Sequence, residues 1–350
     1  LFRMQKEKVT IQYIADSLGL SRNTVSKTLN GSHTVPSDTR NKVIKRAIEL
    51  NYKQFALLEQ ESSIPKNPGN IALITSNMPN SSHFGTSLLS GLEKKISSEG
   101  YNLSIHIVRE TEIEALVTPL NFDKSKVDGI VCIELFNKKY TDFINALDIP
   151  TIFIDASAEI FYPELNSDLI LMENEHSTYF MTHKLIEHGC STLGFVGDYN
   201  HCKSFNERWV GFNKALTTAQ LPTDSSYNIL ENDKFFSDPR WLEQRLLEMD
   251  SYPSAFVCAN DFIAINVMRI LKAQNINIPE DIMICGFDDS PESQIVEPHL
   301  TTVHIYRDDM GIMAAEMLLS RVQNPHKPPQ VTHVRTTPVF RSTTGQLILD

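Results

Sequence analysis

The chain has 350 residues, 41% hydrophobic and 21% charged, which is room for two or three domains with a sizeable core. No run of 18 apolar residues and no signal-peptide pattern occurs, so a membrane span is excluded and a cytoplasmic protein is expected; five scattered cysteines with no C-x-x-C fit a reduced compartment and argue against structural zinc. The formal charge of −11 is uneven: residues 1–60 hold ten Lys/Arg against five Asp/Glu, so a head of +5 precedes a body of −16, the pattern of a nucleic-acid-binding head on a body with another task.

The head reads as three short helices. Thr10 can cap a helix over residues 11–18, where Ile11, Ile14, Ala15 and Leu18 make one apolar face. Gly19 turns the chain, and Ser21 caps a second helix over 22–30 with Val25 and Leu29 inward. A third runs from 37–38 to 51 with Val43, Ala47 and Leu50 inward. This is helix-turn-helix spacing, which lays the second helix in the major groove. Its outward residues are Arg22, Asn23, Ser26, Lys27 and Asn30. Arg pairs with guanine, Asn with adenine, and Lys with guanine or phosphate. Thr24, Arg40 and Lys42 suit phosphate positioning, and the caps Thr10 and Ser21 complete the expected DNA-facing set.

The stretch from Val9 to Tyr52 resembles the DNA-binding domain of the lactose-repressor (LacI) family. The resemblance rests on Thr24-Val25-Ser26, Leu29-Asn30, Val35, Thr39-Arg40 and Leu50-Asn51-Tyr52. It implies that Arg22 and Asn23 read half-site bases and that Lys27 adds a base or phosphate contact. The segment after Tyr52, KQFALLEQESSIPKNPG, departs from the family pattern. Leu57 and Leu58 are candidate minor-groove wedges, but Glu59 and Glu61 would face phosphate unfavourably. Pro65 and Pro68-Gly69 mark a linker. The expected organisation is a DNA-binding domain over 1–54, a hinge or linker over 55–69 and an effector and dimerisation domain over 70–345.

From Asn70 the chain alternates apolar runs with amphipathic stretches. The runs are 71–75, 103–108, 129–133, 151–155, 192–197, 254–259 and 282–288, and one amphipathic stretch is 88–98. Alternation of this kind predicts parallel sheets with crossover helices. The units are too many for one compact sheet, so the fold class expected is α/β: an all-α head, then two doubly wound parallel-sheet subdomains with a cleft between them. The LacI resemblance extends over this body, which also resembles periplasmic sugar-binding proteins; the chain is expected to cross between subdomains near 160, 290 and 325. No nucleotide fingerprint appears, and no cofactor or metal is expected: His176, His183 and His188 are spaced for solvated or capping roles.

Ligands of such sheets sit beyond the carboxyl ends of strands. Asp155, Arg208, Asn260 and Asp288 fall at strand ends or helix starts of that kind. Two carboxylates, a guanidinium and an amide form a fixed set of partners for hydroxyls. By resemblance these four match effector-contacting positions, as do Asp261 and Phe84; Trp209, Trp241 and Phe287 are candidates for stacking on a sugar face. A glycosidase would need its carboxylate pair across one bond. Here Asp155 and Asp288 fall on different subdomains, with Arg208 near to keep them ionised, so no enzyme is expected.

The reading is a repressor of carbohydrate-utilisation genes that binds a pseudo-palindromic operator as a homodimer. A small effector, a sugar or sugar phosphate, closes the cleft and changes operator affinity. The alternatives are a sugar-binding sensor with weak or lost specific DNA binding, and regulation by a phosphoprotein partner.

Overall fold

A computed structural model of the chain describes residues 9–29, 35–50, 52, 69–76, 83–223 and 225–345, the side chains of 37, 48, 83 and 84 apart. It divides into two units, Leu1–Pro68 and Gly69–Asp350.

In the first unit α1 spans Ile11–Leu18, α2 Arg22–Leu29 and α3 Ser37–Glu49. Thr10 Oγ1 accepts the Tyr13 N–H at 3.2 Å, which satisfies one orphan donor at the start of α1. Gly19, at φ 65°, ends α1 in the left-handed region, and the Leu20 N–H returns to the Ala15 carbonyl at 3.0 Å. Ser21 Oγ accepts the Thr24 N–H at 3.1 Å and so opens α2. Ile14, Ala15, Val25, Val43 and Ala47 are fully buried together, with Ile11, Leu18, Leu20, Leu29, Leu50 and Tyr52 packed around them. The expected helix ends at Asn30 and Asn51 lie outside the described residues, as do Leu57 and Leu58.

The second unit is built on two parallel sheets. The first has six strands: β1 Asn70–Thr75, β2 Asn102–Ile107, β3 Gly129–Ile133, β4 Thr151–Ile154, β5 Asp168–Met172 and β10 Val331–Val334, in the order β10-β5-β4-β3-β1-β2. Its helices are α4 His83–Ser98, α5 Glu110–Ala115, α6 Lys138–Asn145 and α11 Arg307–Gln323. The second sheet holds β6 Leu193–Val196, β7 Ala255–Cys258 and β8 Met283–Cys285, with α7 Glu175–Glu187, α8 Lys203–Thr218, α9 Pro239–Leu247 and α10 Asp261–Ala273. An antiparallel ribbon of β9 Thr302–His304 and β11 Thr337–Val339 joins its edge through bridges Cys285–Thr301 and Asp288–His304. β3, β4, β6 and β7 are buried along their whole length, as strands covered on both faces must be, and this is why they read as continuous apolar runs.

The chain changes sheet between Met172 and Glu175, between His304 and Arg307, and between Val334 and Thr337. These points lie later than the expected 160, 290 and 325. The physical reason is that β5, β9 and β10, unread from the sequence, each keep the chain in its sheet for one more strand. Asp168 accounts for β5 and β10. Its carboxylate takes two hydrogen bonds from Arg321, at 2.6 and 2.7 Å, and one from the Gln330 N–H at 2.8 Å. This buried pair pins the end of α11 and the start of β10 to β5.

α4 and α11 pack against each other at almost backbone distance. A Cβ on Gly91 would lie 2.0 Å from the Asp308 carbonyl oxygen, and one on Gly311 would lie 2.1 Å from that of Leu88. Only glycine fits either place.

Candidate functional site

Two surfaces gather the polar side chains that the sequence singles out. The first is the outer face of α2, where Arg22, Asn23 and Lys27 are exposed and Thr24 and Ser26 half-buried. Thr24 shares its hydroxyl with Ser21 at 2.8 Å. Thr10 and Ser21 serve as caps. Arg40 is less open than expected: it is half-buried, and its Nη2 donates to the Val35 carbonyl at 3.2 Å.

The second is a cavity of about 410 Å³ in the second unit, between the carboxyl ends of the two sheets. One side presents Ser76, Glu134, Phe136, Asp155 and Met172, and the other His201, Phe205, Arg208, Asp233, Asn260 and Asp288. Asp155, Arg208, Asn260 and Asp288 therefore come together at one place.

Each is held by the end of its element. Asp155 follows β4 at φ 59°, and its Oδ1 accepts the N–H groups of Ala156 at 2.8 Å and Ser204 at 3.2 Å. It thus faces the first turn of α8. Arg208 lies in that helix, 3% exposed, with Nε donating to Asn174 Oδ1 at 2.9 Å and Nη1 to the Ala259 carbonyl at 2.6 Å. Its guanidinium carbon stands 3.7 Å from the centroid of the Phe287 ring, and Nη1 is 3.6 Å from Asp288 Oδ1. Gly211 makes this placement possible: a Cβ there would lie 2.2 Å from the Glu175 carbonyl oxygen, so α8 sits directly on α7. Asn260 caps α10 with its Oδ1, accepting the Ile263 N–H at 2.9 Å; its amide NH₂ is the group left to offer a ligand. Asp288 sits after β8 at φ 117°, and its carbonyl accepts from Arg307 Nη2.

Charge in this cavity differs from the expectation in one respect. Arg208 does not hold the carboxylates in the ordinary range. Burial raises Asp155 against the hydrogen bonds from Ala156 and Ser204, and raises Asp288 against Arg208 and Arg307. Burial likewise raises Asp233, with His201 opposing and Asp198 adding to the rise. Four acids, Glu134, Asp155, Asp233 and Asp288, line the cavity against Arg208 and His201. Among the described residues no three His, Cys, Asp or Glu side chains gather as metal ligands would, and no helix is long and apolar enough to cross a membrane.

Two family descriptions match the chain: "Bacterial regulatory proteins, lacI family" over residues 10–54 and "Periplasmic binding protein-like domain" over residues 182–344. The chain carries a lacI-family DNA-binding domain. It is a DNA-binding transcriptional regulator with a periplasmic-binding-protein-like domain after its head. The "HTH-type transcriptional repressor PurR" of Vibrio atlanticus is 28% identical over 348 residues, 97% of this chain and 99% of its own. The "Ribose operon repressor" of Haemophilus influenzae is 27% identical over 335 residues, 95% and 97% of the two chains. The fold is shared with a lac repressor dimer bound to operator and the anti-inducer ONPF, at TM-score 0.67 and 22% identity over 97% of this chain and 99% of that one.

The lacI-family span covers α1 to α3, and the second span carries Arg208, Asn260 and Asp288 but not Asp155. Four residues expected at the effector site do not line the cavity. Asp261 points into the fold: its Oδ1 accepts from Thr302 Oγ1 at 2.5 Å and its Oδ2 from the Ser290 N–H at 2.8 Å, and burial with the nearby Asp288 charge pushes it up to about 7. Trp209 packs against Phe195 at 5.3 Å and stacks on Tyr199 at 5.7 Å. Trp241 lies between Phe235 and Phe236, both at 5.3 Å. Phe287, 1% exposed, supports the Arg208 guanidinium from below. These three aromatics pack in or against the core, and a core aromatic and a stacking one look alike in sequence. The side chain of Phe84 lies outside the described residues, and so does Asn30. The sequence reading missed Phe136, His201, Phe205 and Asp233. Phe136 and His201 follow β3 and β6, so the strand-end rule that found Asp155 could have found them. His201 stands 4.8 Å from Phe136, 5.3 Å from Phe205 and, through Nδ1, 3.5 Å from Asp233 Oδ2.

Proposed function

We propose that this regulator is a cytoplasmic repressor that binds a pseudo-palindromic operator as a homodimer and is controlled by an uncharged sugar in the cavity between the two sheets. The observation that carries the reading is the meeting of Asp155, Arg208, Asn260 and Asp288 around one cavity, with Phe136 and Phe205 beside them. Carboxylates accept hydroxyl protons, the guanidinium fork and the Asn260 amide donate to hydroxyl oxygens, and aromatic faces cover C–H surfaces. The excess of acids opposes a phosphate group, so a neutral sugar suits the cavity better than a sugar phosphate. The ribose operon repressor among the relatives supports a carbohydrate signal.

Sugar bridging residues of both subdomains favours one relative arrangement of them, and a ligand that binds two arrangements unequally shifts the equilibrium that sets operator affinity. The site binds rather than reacts. Asp155 is occupied by two backbone N–H groups and Asp288 lies beside Arg208, so neither is arranged as an acid facing a nucleophile across a bond. The test is a thermal-shift screen of neutral sugars and sugar phosphates, followed by a gel shift on palindromic DNA with and without each hit. A neutral hit that changes the gel shift is the expected outcome. Hits confined to phosphorylated sugars, or no effect on DNA binding, would refute the reading.

A further inference from the structure

Glu207 precedes Arg208 in α8 and points to the other side of the cavity wall, where it meets three parts of the first sheet's subdomain. Its Oε2 accepts from Asn174 Nδ2 at 3.0 Å, in the passage between β5 and α7. Its Oε1 lies 3.3 Å from Nε2 of His333 on β10. Tyr162, in the one-turn helix Tyr162–Glu164 after β4, is near enough to feel its charge, and burial together with Glu207 pushes that phenol up to about 12.

The contact with Asn174 reaches the cavity. Asn174 is fully buried, and its Nδ2 also donates to the Met172 carbonyl at 2.7 Å. Its Oδ1 accepts from Arg208 Nε at 2.9 Å. Both acceptors on the nitrogen side and the donor on the oxygen side fix which way the amide faces. Glu207 and Arg208 therefore grip opposite ends of one amide, and the orientation of the guanidinium depends on the carboxylate behind it. Two of the three places where the chain changes sheet, at Asn174 and beside His333, converge on Glu207.

We propose that Glu207 is a positioning residue for the effector cavity, a latch between α8 and the first subdomain that orients Arg208 through Asn174 and loosens when His333 loses its proton. The proposal rests on the reading of the cavity as the effector site. Burial alone would raise the Glu207 carboxyl, but hydrogen bonds from His333 and Asn174 outweigh it and hold it below the ordinary carboxylate range. The hydrogen bond to Glu207 in turn raises His333 above the ordinary imidazole value, against partial burial. The charged groups facing His333 are Glu207 and Lys203 of α8 and Glu173 beyond β5. Two acids against one base favour the imidazolium. A group raised in the folded state contributes its contact fully below its unfolded value and loses it as pH rises through the folded one. The latch is therefore closed in mild acid and opens from neutral pH upward.

The test uses the full chain with ¹⁵N-labelled arginine and needs no ligand. Arg208 Nε–H is assigned through Arg208→Lys, and its exchange with water is measured relative to Arg321 Nε–H, which donates to the buried Asp168 at the opposite end of β5 from Asn174. In the wild type that ratio should rise about three-fold or more between about pH 6 and about pH 8, as local opening follows deprotonation of His333. In His333→Gln the ratio should be high at both pH values and flat, and Glu207→Gln should behave likewise. His333 lies on a half-exposed edge strand, so its variant keeps the fold even if Glu207→Gln does not. A ratio that is the same in wild type and His333→Gln at both pH values would overturn the latch. The effector-site reading fails separately, when Arg208→Ala leaves the sugar response of the screen unchanged.

Discussion

Arg208 is held on several sides before any ligand arrives: Asn174 and the Ala259 carbonyl take its hydrogen bonds, Phe287 lies under its plane, and Asp288 stands beside it. Such a fork loses little entropy on binding, which is the physical use of preorganisation. Arg208→Ala is therefore expected to lower affinity for a neutral-sugar hit by two orders of magnitude, on the order of the 2–5 kcal/mol lost when one partner of a buried charged hydrogen-bond set is removed. Operator binding in the absence of sugar should be retained. Calorimetry on the variant checks the first statement and a gel shift the second; an unaltered titration would reject the role. Asp261 supports a separate prediction. Its carboxyl is raised to about 7, so the folded state holds its proton more tightly than the unfolded chain does. Its contribution to stability is present in acid and is lost as pH rises from the unfolded value through the folded one. Asp261→Asn keeps an acceptor for the Ser290 N–H and removes the charge. Its melting temperature relative to wild type should increase between about pH 5 and about pH 8, with a gain on the order of 2 kcal/mol at the upper end. A constant difference across that range would contradict the assignment. Single residues of this kind were legible in sequence only through their element: Asp155, Arg208, Asn260 and Asp288 stand where strands end or helices begin, whereas nothing local distinguishes Asp261, turned inward to Thr302, from its cavity-lining neighbour Asn260.

Elements were legible wherever local chemistry and tertiary burial agree. α1 has its cap, its 3.6-residue apolar period and its glycine stop, and its observed span is the one read from sequence. β3 likewise spans the expected 129–133. β5 was missed because a short apolar run behind an acidic residue reads as loop, and only the buried Arg321 partner, 153 residues away, explains why Asp168 can start a buried strand. β10 was missed for the opposite reason: it is a half-exposed edge strand with a weak pattern, made by its pairing with β5. The α4–α11 contact could not be read at all, since a glycine in a helix is locally a defect. It yields a sharp expectation. Gly311→Ala places a methyl 2.1 Å from a backbone carbonyl and should destabilise by about 1–3 kcal/mol, as overpacking of a tight contact does. Gly189→Ala, with no atom within 4 Å of the new Cβ but a φ of 101°, separates backbone strain from crowding. Equal stability of Gly311→Ala and wild type in urea would show that the two helices move apart freely. For α2, Arg22→Ala and Asn23→Ala should each relax base preference at one half-site position by about 1–3 kcal/mol. Arg40→Ala should weaken all sequences alike, and a binding screen with unchanged preference in the α2 variants would remove them from the reading set.

At the scale of the whole molecule the argument is about charge. The first 60 residues carry +5 and the rest −16, so only the head attracts DNA while the body repels it. Operator affinity should therefore depend steeply on salt, by about 10³ or more between 50 and 200 mM if six or more phosphates are neutralised by two heads. The segment joining the two units, which lies outside the described residues, adds a second consequence. It holds Glu59 and Glu61 with Lys53 as the nearby cation before Pro65. If these two acids of each protomer approach the phosphate backbone, they oppose binding without regard to sequence. The double variant Glu59→Gln and Glu61→Gln should bind every duplex more tightly, and nonspecific DNA should gain proportionally more than operator because it depends more fully on charge. Discrimination between operator and nonspecific DNA should fall as affinity rises. Salt titrations of both proteins on both duplexes decide the matter. If the double variant gains nothing on either duplex, the two acids do not approach the phosphates, and the linker sets affinity by its geometry rather than by its charge.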